Sequence, residues 1–303
     1  MINVWKVQDM PDLKGKVSVV TGGNAGLGFQ SALALAQAGC KVVIGCRSNE
    51  KGVLAKEKIL KLVPDADIEN SLLDLTDFTS VRHFADAVIE RHDRLDILLN
   101  NAGVVNLSEL QHTELGHEMH FATNHLGHFL LTGCLLRIIK TTPGARVVTV
   151  SSGGYKFGEI RFDDLDWKKR PYHRIKSYGD SKLANMLFFR QLHKMFKSNG
   201  IDAHSIAAHP GLTASERQQT QGVGGMVSKW LASPMEEGVQ PLLMACCAQE
   251  YQSGDFIGPK FGIRGRPVKE RLKDTALNQE VAGELWDYSC QATEMYYQFG
   301  DIG

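Results

Sequence analysis

The chain has 303 residues, of which 43% are hydrophobic and 22% charged: enough apolar material for a full core, and too regular a mixture for a fibrous or disordered protein. Lys plus Arg and Asp plus Glu each number 34, so no net field gathers nucleic acid or acidic lipid, and small molecules are the expected partners. Six scattered cysteines (Cys40, Cys46, Cys134, Cys246, Cys247, Cys290) form no CxxC pair, which argues against disulfides and structural zinc and for a reducing compartment. Residues 1–13 carry acids and lack the basic start and apolar run of a signal peptide, and no window reaches the ~20 apolar residues of a membrane span. A soluble, cytoplasmic protein is expected, although attachment to a membrane surface needs only a modest amphipathic patch.

In chain order, short apolar runs alternate with stretches of helical periodicity. Strands are expected at 16–21, 41–46, 68–73, 95–100, 145–151, 202–208 and 255–257, and helices at 27–38, 50–62, 78–91, 114–139 and 178–198. That alternation predicts an α/β protein, a single-domain Rossmann fold over 1–303 whose doubly wound parallel sheet has about seven strands. Two stretches fit poorly, 153–177 and 215–241. They read as a substrate-loop insertion and a lid. The basic run Lys168, Lys169, Arg170, Arg174 and Lys176 in the first is expected to be a solvated surface.

The first strand runs into Thr21-Gly22-Gly23-Asn24-Ala25-Gly26-Leu27-Gly28 and then a helix. Such a turn lets backbone approach a pyrophosphate and aims free N–H groups and the helix dipole at its charge. Its spacing resembles the T-G-x-x-x-G-x-G turn of the short-chain dehydrogenase/reductase family, and later motifs match the same family in order. By that resemblance Gly22, Asn24, Gly26, Leu27 and Gly28 hold the cofactor, Asp74 and Leu75 meet its adenine, and Asn100, Ala102 and Gly103 of Asn100-Asn101-Ala102-Gly103 shape its cleft. Plainer readings exist: Asp74 as the cap of a helix starting near Asp77, and the Asn-Asn-Ala-Gly stretch as a simple turn. At the end of the second strand no carboxylate is present to bind a ribose 2′-hydroxyl. Arg47 stands there instead, 19 positions after Gly28, and predicts NADP(H) rather than NAD, with Lys51 able to share the 2′-phosphate.

Tyr178-Gly179-Asp180-Ser181-Lys182 places Tyr178 and Lys182 four apart on one helical face. A phenol titrates near 10 when unperturbed, and a nearby ammonium favours its ionised form. The resemblance makes this pair the family's Y-x-x-x-K, with Tyr178 as catalytic acid/base and Lys182 also on the nicotinamide ribose. It makes Ser152, or Ser151 after a one-residue slip, the hydroxyl that polarises the substrate oxygen, and Asn124 the asparagine of a proton relay. His209-Pro210-Gly211 resembles the turn that meets the nicotinamide carboxamide, so Pro210 and Gly211 join the cofactor residues, followed by Thr213 or Ser215.

Ser152 and Tyr178 are 26 residues apart, about twice the family's usual separation. That insertion, Ser181-Lys182-Leu183-Ala184-Asn185, and the tail motifs Arg264-Gly265-Arg266-Pro267 and Leu285-Trp286 resemble the branch that includes retinol dehydrogenases and protochlorophyllide reductase. The expected function is interconversion of an apolar alcohol and its carbonyl. A C=C reductase and a cofactor sensor without turnover are the alternatives. His117, His120, His125 and His128 crowd one predicted helix, but His117-Glu118-Met119-His120 is one residue short of H-E-x-x-H, and no metal is expected. Trp230, Trp286, Tyr296, Tyr297 and Phe299 either line a substrate pocket or pack on the body or on a neighbour in a homo-oligomer.

Overall fold

The computed structural model describes residues 7–212 and 234–300. The apolar runs become strands β1 (Val17–Thr21), β2 (Lys41–Cys46), β3 (Ile68–Leu72), β4 (Ile97–Asn100), β5 (Ala145–Val150), β6 (Ala203–Ala208), β7 (Phe256–Pro259) and β8 (Pro267–Lys269). They form one sheet in the order β3-β2-β1-β4-β5-β6-β7-β8, parallel from β3 to β7. Beyond the seven expected strands, β8 returns antiparallel beside β7. Val19, Val43, Leu98 and Val147 point to one face of the sheet, and Val20, Ile44, Leu99 and Val148 to the other. Both faces are covered, which is why the strands read as continuous apolar runs.

Helices α1 (Gly26–Gln37) and α2 (Asn49–Leu62) lie on one face, and α3 (Phe78–Arg91) lies on the other. The helix expected at 114–139 is broken. Residues 112–118 form a turn closed by the His112–Glu118 bridge, and Glu118 caps α4 (Met119–Phe121) by accepting from Phe121 N at 2.8 Å. A π-helical turn, Ala122–Leu126, follows, then α5 (Gly127–Cys134) and α6 (Leu136–Thr141). Helix α7 (Arg174–Ser198) starts one turn earlier than its periodicity predicts, with His173 as its cap. After β6 come α8 (Met235–Gly238) and α9 (Gln240–Cys247), which hold the described part of the expected lid; 215–233 lie outside the described residues.

A C-terminal helix, α10 (Gln279–Thr293), capped by Asn278, carries the tail onto α5 and α7. Trp286 stacks on Phe188 at 6.0 Å, and the Tyr297 hydroxyl donates to Phe129 O at 2.6 Å. Trp286, Tyr297 and Phe299 therefore pack on the body, Tyr296 is exposed, and Trp230 lies outside the described residues. In 153–177, Lys168, Lys169, Arg174 and Lys176 are exposed, but the expectation of a purely solvated run fails at Arg170. Its guanidinium lies 3.6 Å over Trp167 and donates to Asp180 at 2.9 Å, so it ties the insertion to α7. No helix among the described residues is long and apolar enough to cross a membrane.

Candidate functional site

The order of the parallel strands reverses between β1 and β4, and the crevice beyond their C-terminal ends is the natural ligand position of such a sheet. A cleft of about 450 Å³ opens there. Gly22 turns the chain after β1 with φ +66°, a conformation that disfavours any side chain, and a Cβ on it would press on Ala102 at 3.1 Å. A Cβ at Gly28 would overlap Gly22 O, so α1 approaches the turn only because that atom is missing. The N-cap Ala25 offers no side-chain hydrogen bond, and the first turn of α1 holds no acid. The positive pole of this 12-residue helix thus borders the cleft with no side-chain cap and no acid in its first turn, which suits a phosphate.

Arg47, at the end of β2, is exposed and borders the same cleft, with no ion pair among the described residues. Asp74 and Leu75 line it beyond β3. Asp74 is not the helix cap: its Oδ1 accepts from Thr76 N at 2.9 Å and Thr76 Oγ1 at 2.7 Å, whereas Asp77 caps α3. Ala102 and Gly103 line the cleft, and Asn100 does not. The Asn100 side chain is buried and donates to Thr132 Oγ1 at 3.0 Å, while Asn101 faces the cleft and donates through Nδ2 to Thr21 O at 2.8 Å.

The opposite wall is carried by β5, α7 and the π-helical turn. Tyr178 and Lys182 share one face of α7 and line the cleft, with Lys182 Nζ 5.7 Å from the centre of the Tyr178 ring and donating to Val150 O at 3.1 Å. The two serines after β5 have separate duties. Ser151 is buried and donates to Lys182 O at 3.0 Å. Ser152 is half-buried, and its Oγ and the Tyr178 ring edge both lie about 3.5 Å or less from the position a Cβ would take on Gly154. Ser151 lines the cleft, whereas Ser152 stands with the Tyr178 ring edge around Gly154.

Asn124 sits in the π-helical turn, fully buried, a type of helix irregularity often found at functional sites. Its Oδ1 accepts from Val104 N at 2.8 Å and its Nδ2 donates to Val104 O at 3.1 Å and to Ser181 Oγ at 2.9 Å. Ser181 in turn donates to Tyr178 O at 2.7 Å. Beyond β6, Pro210 lines the cleft and Gly211 turns the chain at φ +71°, while Thr213 and Ser215 lie outside the described residues.

The four crowded histidines diverge to separate partners. His117 meets Asp166, His120 meets Glu118 and Ser177, His125 meets Ser289, and His128 meets Thr21 and Asn124. No group of metal-binding side chains forms among the described residues. Burial pushes His125 down to about 3 and His128 down to about 4, so both are neutral at physiological pH. Burial acts to raise the Glu118 carboxyl, but bonds from His120 and Phe121 N hold it below the usual range. Sequence reasoning missed Asn101, Val104 and Thr123 as parts of the site's wall. The second Asn of Asn100-Asn101, one residue nearer the loop, was the available signal for Asn101; nothing in the spacing marks the others.

Residues 16–223 match the family described as short chain dehydrogenase. Retinol dehydrogenase 13 of Homo sapiens is 35% identical over 289 residues, covering 92% of this chain and 85% of that protein. Retinol dehydrogenase 12 of Mus musculus is 37% identical over 283 residues, covering 92% and 86%. Among solved structures, an uncharacterized protein from Mycobacterium Paratuberculosis superposes with a TM-score of 0.84 at 33% identity, covering 98% of this chain and 100% of that one. A short chain dehydrogenase from Shigella flexneri 2A str. 301 complexed with NADP shares the fold, with a TM-score of 0.65 at 20% identity over 82% of this chain and 99% of that one.

Proposed function

Since the chain belongs to the short chain dehydrogenase family, an oxidoreductase family, we propose that it is an NADP(H)-dependent enzyme interconverting an apolar alcohol and its aldehyde or ketone. One observation carries the reading: Tyr178 and Lys182 line the same cleft as the glycine turn, with Arg47 at the cleft's other end. The uncapped N-terminus of α1 would hold the pyrophosphate, Asp74 and Leu75 the adenine, Arg47 the 2′-phosphate, and Pro210 with Gly211 the carboxamide side. When bound, the nicotinamide supplies or accepts the hydride at C4.

The chain's own part is position and proton traffic. In the reducing direction Ser152 donates a hydrogen bond to the carbonyl oxygen and Tyr178 transfers its phenolic proton to that oxygen as the carbon receives the hydride. The Lys182 ammonium stabilises the phenolate left behind, and Asn124 holds Ser181 and the loop at Val104 in register with Tyr178. Oxidation runs the same steps backwards. Relatives named for retinol support an extended apolar substrate, and the composition supports a cytoplasmic location.

The test supplies the purified protein with NADPH or NADH and a panel of retinaldehyde, medium-chain aldehydes, ketones and quinones, and follows loss of nicotinamide absorbance. Turnover of an apolar carbonyl with NADPH preferred supports the reading. Binding of NADPH with no turnover across the panel would leave a cofactor sensor as the better description.

A further inference from the structure

His128 is buried and does not line the cleft, yet it bonds to a residue behind each of its walls. Its Nδ1 lies 3.0 Å from the backbone carbonyl of Asn124, and its Nε2 lies 2.9 Å from Thr21 Oγ1. A carbonyl only accepts, so Nδ1 carries the proton and Nε2 is the acceptor. Thr21 Oγ1 already accepts from Asn101 N and Ala102 N, both at 2.9 Å. Its single proton has two takers, Leu99 O at 3.3 Å and His128 Nε2 at 2.9 Å. The shorter bond is also the one that satisfies an otherwise unpartnered buried nitrogen. The chain of bonds then has one direction throughout, from the Asn101 and Ala102 amides through Thr21 and His128 to Asn124 O.

We infer that His128 is a positioning residue, a buried neutral imidazole that locks the nucleotide-side loop at Asn101 and Ala102 to the carbonyl of Asn124 on the proton-transfer side. The inference rests on the function proposed above for what each wall does. Burial keeps the ring neutral by pushing it down to about 4; the bond to Asn124 acts the other way, and the nearby Lys182 ammonium adds to the lowering. A protonated ring would lose its acceptor at Nε2 and leave the Thr21 proton facing a donor. The fixed tautomer therefore sets the spacing between the two walls at a second point, behind the direct bonds that Val104 makes with Asn124 on the cleft surface.

The two ring nitrogens can be tested separately. His128→Asn places an amide near Nδ1 and keeps a donor for Asn124 O, while losing the acceptor for Thr21. His128→Gln reaches to Nε2 and keeps that acceptor, while losing the donor. In the Asn variant the Kd for NADPH, read by fluorescence titration, should rise about 3- to 10-fold, the range for one lost neutral hydrogen bond, against less than about 2-fold in the Gln variant. In the Gln variant kcat with the best carbonyl of the panel should fall about 3- to 10-fold, and by more than in the Asn variant. A purely structural histidine predicts instead that both variants lose melting temperature and that kcat and Kd change in the same proportion in each. That result overturns the inference. If no carbonyl turns over, the function reading fails, and the NADPH titrations alone then decide: equal Kd values in the two variants overturn the link. If neither variant folds, Thr21→Ala and Thr21→Ser repeat the test from the other end. NADPH should weaken in Ala and recover in Ser; equal impairment in both overturns the inference.

Discussion

The two walls of the cleft are made of different material. On the side of β1 and α1 the wall is backbone: Gly22 and Gly28 are places where a Cβ would collide, and α1 begins with no side-chain cap. On the side of β5 and α7 it is a web of side chains, in which Asn124, Ser181, Lys182 and Ser151 each hold a partner from another element. The first wall is sensitive to added volume and to charge at its rim, the second to loss of one donor or acceptor. A ligand of fixed shape and charge suits the first, and a moving proton suits the second.

The sharpest break between the walls is at Tyr178. Tyr178→Phe removes one oxygen and should lower kcat by at least about 100-fold, while NADPH affinity, measured by fluorescence titration, stays within about 2-fold. A comparable loss of NADPH binding would merge the two walls into one functional unit. The next effect is at the rim of the other wall. Arg47→Ala should weaken NADPH by roughly 10- to 150-fold, the range for one charge-assisted contact, and leave NADH nearly unchanged. Adding Lys51→Ala should increase the loss if the two cations share the phosphate. Equal weakening of NADPH and NADH would contradict the assignment of Arg47.

Within the backbone wall, Gly28→Ala forces the new methyl against Gly22 O and should cost about 1–3 kcal/mol in denaturant unfolding, with NADPH binding weakened alongside. An unperturbed Ala variant would show that the turn has room the geometry denies. The most graded effect belongs to the side-chain wall and its acid sensitivity. His125 and His128 sit at about 3 and about 4 when folded, against 6.5 for the unfolded chain. Between these values the unfolded chain binds more protons, so stability is fully present above pH 6.5 and falls on acidification, by at most about 1.4 kcal/mol per pH unit for each ring. His125→Gln should flatten the slope of unfolding free energy against pH between 6.5 and about 4. An unchanged slope would mean that this ring is already protonated or exposed when folded.

The same contrast explains what could be read from the sequence. The sheet was legible because strands buried on both faces must be apolar runs, and the backbone wall because glycines are required at fixed spacing. The Tyr178–Lys182 pair was legible because four residues along a helix share a face. The partners of Asn124, Ser151 and His128 come from other elements, and Thr21 lies 107 residues from the histidine it meets, so no local pattern announces them. The break at 112–126 was hidden for a related reason. Its apolar periodicity survives, while a cap at Glu118 and a π-helical turn interrupt the helix. Strand β8 is only three residues long and α10 begins after a loop, and both were read from the sequence only as tail motifs.

The central claim is that the two walls together carry a hydride from cofactor to carbonyl carbon. It is tested most directly with NADPH deuterated at both C4 positions, incubated with the purified enzyme and the best carbonyl of the panel, with the product analysed by mass spectrometry. The account predicts an alcohol carrying one deuterium on the former carbonyl carbon, formed by the wild type and at least about 100-fold more slowly by Tyr178→Phe. Alcohol formed without deuterium, or labelled alcohol formed equally fast by the Phe variant, would contradict it.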